Sequence, residues 1–208
     1  MKKKPNIGII DTGTSNLRSV DYALKEYNVN VLHISSYEDF SNNIDGIIVP
    51  GIGSYPVVMK KMRDKGLAEI VLNQISTNKP SMFICVGMQI LFSKSHEFGE
   101  TKGLDIFKGE VKKIVTYPKK IVPVIGWNKV LLKKKCPLLN DNSNFCYYFT
   151  HSYFVKTEEE NIISTTAKYG SLEYCSSISH KNIFAFQFHP EKSGKDGLKI
   201  YKNFINLI

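Results

Sequence analysis

The chain has 208 residues, 42% of them hydrophobic and 23% charged, with a formal net charge of +9. This balance suits a folded chain with a full core and excludes a disordered or collagen-like one. No run of about 18 apolar residues is present, which excludes a membrane-spanning helix. The lysines are scattered and the only arginines are Arg18 and Arg63. The charge is therefore expected on a solvated surface, or second against an acidic partner, rather than on nucleic acid, whose bases are read chiefly by arginine.

Met1-Lys2-Lys3-Lys4-Pro5 reads as a short tail, not a signal peptide, because the apolar segment behind it is short and meets Asp11. Asn6 to Ile10 predicts a first strand, followed by a polar loop in which Ser15 or Asn16 caps a helix carrying Leu17, Val20, Leu24 and Tyr27. Val29 to Ile34 and Ile44 to Val49 predict two more strands. Pro50-Gly51-Ile52-Gly53 then turns the chain into a helix over about Val57 to Asn73, with Met59, Met62, Ile70 and Val71 inward. This alternation argues for an α/β domain with a largely parallel sheet, whose sites form at the carboxyl ends of strands.

Pro80 to Cys85 is an apolar run that stops abruptly. Met88, Leu91 and Phe92 then fall on one face of an expected helix. A cysteine at such a junction sits at a helix N-terminus, where the dipole and free N–H groups favour the nucleophilic thiolate. Gly87 allows the helix to pass close to the strand it leaves. Taken alone, a single cysteine is more often a small buried hydrophobe, and the Gly51/Gly53 loop alone is a simple turn. What changes the weighing is a histidine and a carboxylate elsewhere in the chain.

Beyond residue 100 the pattern shifts to short strands of an antiparallel extension: Gly109 to Val115, Val122 to Ile125, Asn128 to Leu132, Phe145 to Tyr148, Ser152 to Val155, Ile162 to Thr166, Leu172 to Ser176 and Ile183 to Gln187. Trp127, the only tryptophan, reads as a core or hinge anchor. Pro190 cuts off the last of these strands and leaves His189 and Glu191 two residues apart, on one side of an extended backbone. Histidine is the usual base for a cysteine nucleophile, and a carboxylate fixes its tautomer. Leu198, Tyr201, Ile205 and Ile208 close the chain as a packing helix. No linker or repeat divides it, so residues 1–208 are expected to form one domain. The four cysteines, Cys85, Cys136, Cys146 and Cys175, lack CxxC spacing. They suggest neither a zinc site nor a disulfide framework, and a reducing cytoplasm fits.

Cys85-Val86-Gly87-Met88-Gln89 and Gln187-Phe188-His189-Pro190-Glu191-Lys192-Ser193, together with Pro50-Gly51-Ile52-Gly53, resemble the class I (triad) glutamine amidotransferases. The segment from Asp11 to Val20, Gly126-Trp127-Asn128 and Tyr148-Phe149-Thr150-His151-Ser152-Tyr153 resemble the HisH-type glutaminase branch, over nearly the full length. The resemblance implies a flavodoxin-like fold, its mostly parallel sheet flanked by helices, and a triad of Cys85, His189 and Glu191. It implies an oxyanion site at Val86 and at Gly51, Ile52 and Gly53. It implies glutamine contacts from Gln89 and from the backbone of Thr150, His151, Ser152 and Tyr153. No metal or cofactor is implied. The implied partner is a HisF-type (β/α)8 barrel cyclase subunit, met near Asn16 and Lys192 in a heterodimer. It would use the ammonia to form imidazole glycerol phosphate and AICAR ribonucleotide in histidine biosynthesis.

Two departures bear on the partner. Phe83 stands where the family usually has glycine, which predicts altered packing under the elbow, and Thr12 stands where tyrosine is frequent. They keep open a paralogue that feeds a different barrel, such as a surface-sugar amidotransferase. A catalytically silent regulatory subunit is the reading from another class, and the intact triad argues against it.

Overall fold

The computed structural model describes residues 4–14, 16–139 and 145–208; the N-terminal Met1 to Lys3 and the Ser15 cap lie outside it. The first half alternates strands and helices. β1 (Asn6–Ile10), α1 (Leu17–Leu24) and β2 (Asn30–Ile34) lead to β3 (Gly46–Gly51), α2 (Tyr55–Asp64), α3 (Leu67–Ser76), β4 (Ser81–Cys85) and α4 (Val86–Gln89). The second half is mostly strand: β5 (Phe92–Ser95), β6 (Thr101–Lys102), β7 (Phe107–Lys113), β8 (Val124–Leu132), β9 (Phe145–His151), β10 (Tyr153–Thr157), β11 (Ile163–Tyr169), β12 (Leu172–His180) and β13 (Ile183–Phe186), closed by α5 (Gly194–Ile205).

Nine strands form one sheet in the order β2-β1-β3-β4-β13-β12-β11-β8-β9. It is parallel from β2 to β13 and antiparallel from there to β9. A smaller sheet, β10-β7-β5-β6, lies beside it. Every residue of β1, β3, β4 and β13 is buried. Strands covered on both faces read as continuous apolar runs for this reason.

Four expectations are corrected by local physics. The long helix after Tyr55 breaks into α2 and α3 at Gly66, which adopts a left-handed φ of +66°. A side chain at Gly66 would also press on Tyr37 Cβ, 2.9 Å from the ideal Cβ position. The helix after Cys85 is a single turn, and Phe92 opens strand β5 instead. All residues from Ser81 to Phe92 are buried, so helical spacing carried no information there. The two strands expected on either side of Gly126-Trp127 are one, β8, running through Gly126 at φ +123°. Trp127 points outward from it, 54% exposed and edge-on to Tyr148, and anchors no core. Smaller shifts at the ends follow from fraying: Ile162 belongs to a short helical turn before β11, and Tyr27 and Ile208 lie beyond their helices.

Phe83 is fully buried in β4, between Val49 of β3 and Ala185 of β13 in the strand register. Small or slim neighbours on both sides give the ring its room. Burying it contributes about 1.5–3 kcal/mol. Thr12 is buried as well, its hydroxyl 2.8 Å from that of Thr14.

Candidate active site

Adjacent parallel strands deliver the site. In the register, Gly51 of β3 lies beside Cys85 of β4, and Phe186 of β13 beside Ile84. The residues that follow each strand therefore emerge at one edge of the sheet, its carboxyl end. Cys85 takes φ 56° and ψ −110° as the chain turns from β4 into α4. A non-glycine residue in that region is strained and persists only where its surroundings hold it. The hold is tight: a Cβ on Gly87 would lie 2.0 Å from the Val49 carbonyl oxygen, and one on Gly51 would lie 2.8 Å from the Gly87 nitrogen. Glycine at both positions lets the elbow sit directly on β3.

His189 follows β13, and its backbone N–H donates to the Tyr148 carbonyl at 2.8 Å. Ser193 locks the turn. Its hydroxyl donates to the His189 carbonyl at 2.6 Å and accepts the Tyr148 N–H at 2.9 Å. Within the turn, His189 Nδ1 meets Glu191 Oε1 at 2.7 Å, both side chains almost fully buried. His189 Nε2 is buried within electrostatic reach of the Cys85 sulfur but without an aligned hydrogen bond to it. Burial works against a charge on His189. The Cys85 sulfur and the Glu191 carboxylate outweigh it and raise the pKa to about 10. Its two neighbours thus favour the protonated ring.

A cleft of about 390 Å³ opens over the sulfur, within the usual range for small-molecule pockets of roughly 300–1,000 Å³. Cys85, Val86 and Gln89 form its floor, Ile52 and Gly53 one side, and Thr150 to Tyr153 the other. Glu97, Pro123 and Lys192 complete the lining. Of the residues expected at the site, Ile52, Gly53, Cys85, Val86, Gln89 and Thr150 to Tyr153 line this cleft, while Gly51, His189 and Glu191 lie outside its lining. Val86 opens α4, so its N–H has no intrahelical acceptor. Gly53 stands at φ +114°, a backbone conformation that glycine adopts without strain, with Thr14 atoms the nearest to its Cβ position at 3.6–3.9 Å.

His151 contributes backbone to the cleft while its ring faces away. Nδ1–H donates to the Tyr153 carbonyl at 2.8 Å and Nε2 accepts from the Tyr174 hydroxyl at 3.1 Å. Burial, with the charge on His189, pushes its pKa down to about 4 against the backbone hydrogen bond, so it is neutral. Asn16 does not line the cleft. It occupies the N-cap position of α1 without capping it by its side chain, and α1 packs against the Pro190–Lys192 turn. Lys192 lies on the rim, its Nζ 5.8 Å over the Tyr148 ring.

Sequence reasoning passed over two side chains. Glu97 accepts the Tyr55 N–H at 2.7 Å, and burial raises its pKa. It lay in a stretch without a recognisable pattern. Gln187 donates from Nε2 towards the Cys85 sulfur at 3.7 Å. Its position two before His189 placed it on the same strand face, a signal that was available.

A cysteine at a strand–helix elbow, a buried histidine–glutamate pair in the turn after the neighbouring strand and a polar cleft lined by the cysteine are the parts that cysteine-dependent amide chemistry needs. The chain belongs to the glutamine amidotransferase class-I family, matched over residues 8–207. Within it, the chain is 43% identical to imidazole glycerol phosphate synthase subunit HisH of Caldanaerobacter subterraneus subsp. tengcongensis, over 97% of this chain and 98% of that one. It is 41% identical to the subunit of the same name from Pyrococcus furiosus, over 97% and 98%. Among solved structures, PurLQS from Thermotoga maritima aligns with a TM-score of 0.78 at 18% identity, covering 99% of both chains. A glutamine amidotransferase from Thermotoga maritima aligns at 0.64 and 11%, covering 99% of this chain and 83% of that one. These structures share the fold.

Proposed function

We propose that this chain is the glutamine-hydrolysing subunit of an imidazole glycerol phosphate synthase, acting in histidine biosynthesis in the cytoplasm. The observation that carries the reading is the buried His189–Glu191 pair within electrostatic reach of Cys85, which itself lines the cleft, in a chain about 40% identical to HisH subunits over nearly its whole length. In this reading the Cys85 sulfur attacks the side-chain amide carbon of glutamine. The carbonyl oxygen takes the charge, and the N–H of Val86 and one from the Ile52–Gly53 loop receive it. His189 passes its Nε2 proton to the amide nitrogen, the C–N bond breaks and ammonia leaves. Glu191 accepts from Nδ1 throughout and keeps Nε2 for the proton transfer. Water, deprotonated by His189, then hydrolyses the thioester to glutamate.

Substrate recognition follows from the lining. The Glu97 carboxylate suits the α-ammonium of glutamine, whose charge offsets the cost of burying it. Both amide hydrogens of Gln89 are engaged, by Tyr153 O at 3.1 Å and Gln187 Oε1 at 3.0 Å, so Gln89 offers the ligand its carbonyl oxygen. The main chain from Thr150 to Tyr153 supplies the remaining donors and acceptors.

The partner in this reading is a HisF-type (β/α)8 barrel that receives the ammonia. Support comes from the surface beside the cleft. Ile125 is 65% exposed and Trp127 54%, on the strand that follows Pro123 of the lining, with Lys192 on the rim and Asn16 at the same end of the sheet. Contiguous exposed apolar side chains mark interaction surfaces. Phe83 and Thr12 are absorbed by the core and touch neither cleft nor surface, so nothing in their placement favours a different barrel. The test is glutamate release by the purified chain, alone and with the cyclase barrel and its ribonucleotide substrate. In this reading the oxyanion peptide in the Ile52–Gly53 loop is set only with partner and ligand bound, which predicts slow turnover alone and a stimulation of tenfold or more in the complex. An assembled complex that hydrolyses glutamine no faster than the isolated chain would contradict the reading.

A further inference from the structure

Three amide and thiol groups under the cleft form a directed chain. The Tyr153 carbonyl can only accept, so the Gln89 amide must turn its NH2 towards it. That same NH2 donates to Gln187 Oε1 at 3.0 Å, which fixes the Gln187 amide in turn. Its oxygen is committed to Gln89, and its NH2 faces the Cys85 sulfur at 3.7 Å. Gln187 is fully buried and Gln89 2% exposed, so no solvent competes for these groups. The thiol itself has one acceptor, the Thr150 carbonyl at 3.9 Å. A buried glutamine aimed at a nucleophile is a costly choice for a core unless the donor is used.

We propose that Gln187 is a further catalytic residue, donating an N–H to the Cys85 sulfur, and that Gln89 is a positioning residue that acts by holding the Gln187 amide in that orientation. The proposal rests on the glutaminase reading for its place in the cycle. Before attack, the donor favours the sulfur as its anion alongside His189. During attack the charge leaves the sulfur for the carbonyl oxygen. When water opens the thioester, His189 takes the water proton, the C–S bond breaks with both electrons going to sulfur, and the Gln187 N–H receives that returning charge beside the reprotonated ring. The same contact therefore serves activation of the nucleophile and its departure. It also ties the pocket wall to the nucleophile, because Gln89 bridges Tyr153 and Gln187.

The test is the pH dependence of Cys85 alkylation by iodoacetamide, read peptide by peptide because Cys146 is exposed and reacts with the same reagent. The other titratable groups around this cleft and its histidine are His189, Glu191, His151, Tyr153, Glu97 and Lys192, and all are left in place. Gln187→Glu keeps an acceptor for Gln89 but loses the donor to sulfur. Gln187→Met loses the donor without adding charge. Both variants are expected to move the alkylation midpoint up by one pH unit or more and to lower glutaminase kcat at least tenfold with KM within about threefold. A wild-type midpoint in both overturns the proposal. So does a shift confined to Gln187→Glu, which would be charge repulsion. If neither variant folds, the Gln187 side-chain amide is followed by NMR in the wild-type chain. Titration of its resonances in step with Cys85, absent in Cys85→Ala, is expected, and their indifference to Cys85 overturns it. The alkylation and NMR readouts need no glutamine turnover, so a failure of the glutaminase reading shows separately, as absent glutamate release.

Discussion

Cys85 ends β4 in the parallel half of the large sheet, and Cys175 sits along β12 in the antiparallel half. Both are buried. Burial pushes the Cys175 thiol up to about 12, and its one partner is the Ser177 carbonyl at 3.5 Å. Cys85 instead lies beside a histidine whose protonated form is favoured and under an amide donor. Burial is common to both, so it is the neighbours that separate an inert thiol from a nucleophile. The wider contrast between the halves has the same form. Each parallel strand of the site ends in a loop that brings a functional group to the edge. The antiparallel strands run past that edge and supply wall: main chain from Thr150 to Tyr153, held by the neutral His151 ring.

The largest expected effect breaks the contrast at its centre. Cys85→Ala should lower glutamine hydrolysis at least about 10⁴-fold, while the assembled complex still makes product from added ammonia. Cys175→Ala should leave kcat within about twofold, and steady-state kinetics of the pair measure both. Next in size is the elbow. Gly87→Ala drives a methyl into the Val49 carbonyl and should cost about 3 kcal/mol or more in urea unfolding. Gly126→Ala in β8 meets no atom within 4 Å but must hold φ +123°. That angle should cost about 1–2 kcal/mol.

The two buried histidines sharpen the comparison through pH. The folded pKa of His151 is depressed, from 6.5 to about 4. Its contribution is therefore present above pH 6.5 and lost as pH falls through 4, by about 3 kcal/mol. His189 is raised to about 10, so its contribution is complete below pH 6.5 and lost as pH rises through 10. His151→Phe should flatten the acid limb of a stability–pH curve and leave the alkaline limb, as chemical unfolding across pH would record. The smallest effect belongs to the surface. Lys60→Ala removes an exposed i,i+4 pair with Asp64 and should change the unfolding free energy by no more than about 0.5 kcal/mol.

The parallel half was legible because its strands are covered on both faces and its helices alternate with them, so apolar runs and punctuation mark each element. The proposed triad stood out for the same reason: Cys85 and His189 each stand where a run stops. What stayed hidden had specific causes. The buried stretch from Ser81 to Phe92 erased the period that would have separated the single turn of α4 from β5. Glycine at 126 looked like a break but served as an extended residue within β8. Trp127 was assigned to the interior by size, yet it faces outward beside the cleft. Glu97 reaches the site only through the pairing of β5 with β7, a contact that no local pattern encodes. Gln187 had the right spacing from His189, and it was missed because a strand-interior amide resembles core filling.

The most direct test of the account is labelling of the folded chain with a glutamine-derived diazo-ketone, followed by digestion and mass spectrometry. The account predicts one equivalent on Cys85, suppressed by excess glutamine, with the exposed Cys146 unmodified. Label on Cys146 with Cys85 bare, or labelling of Cys85 that glutamine does not slow, would contradict a glutamine site built around the β4 elbow.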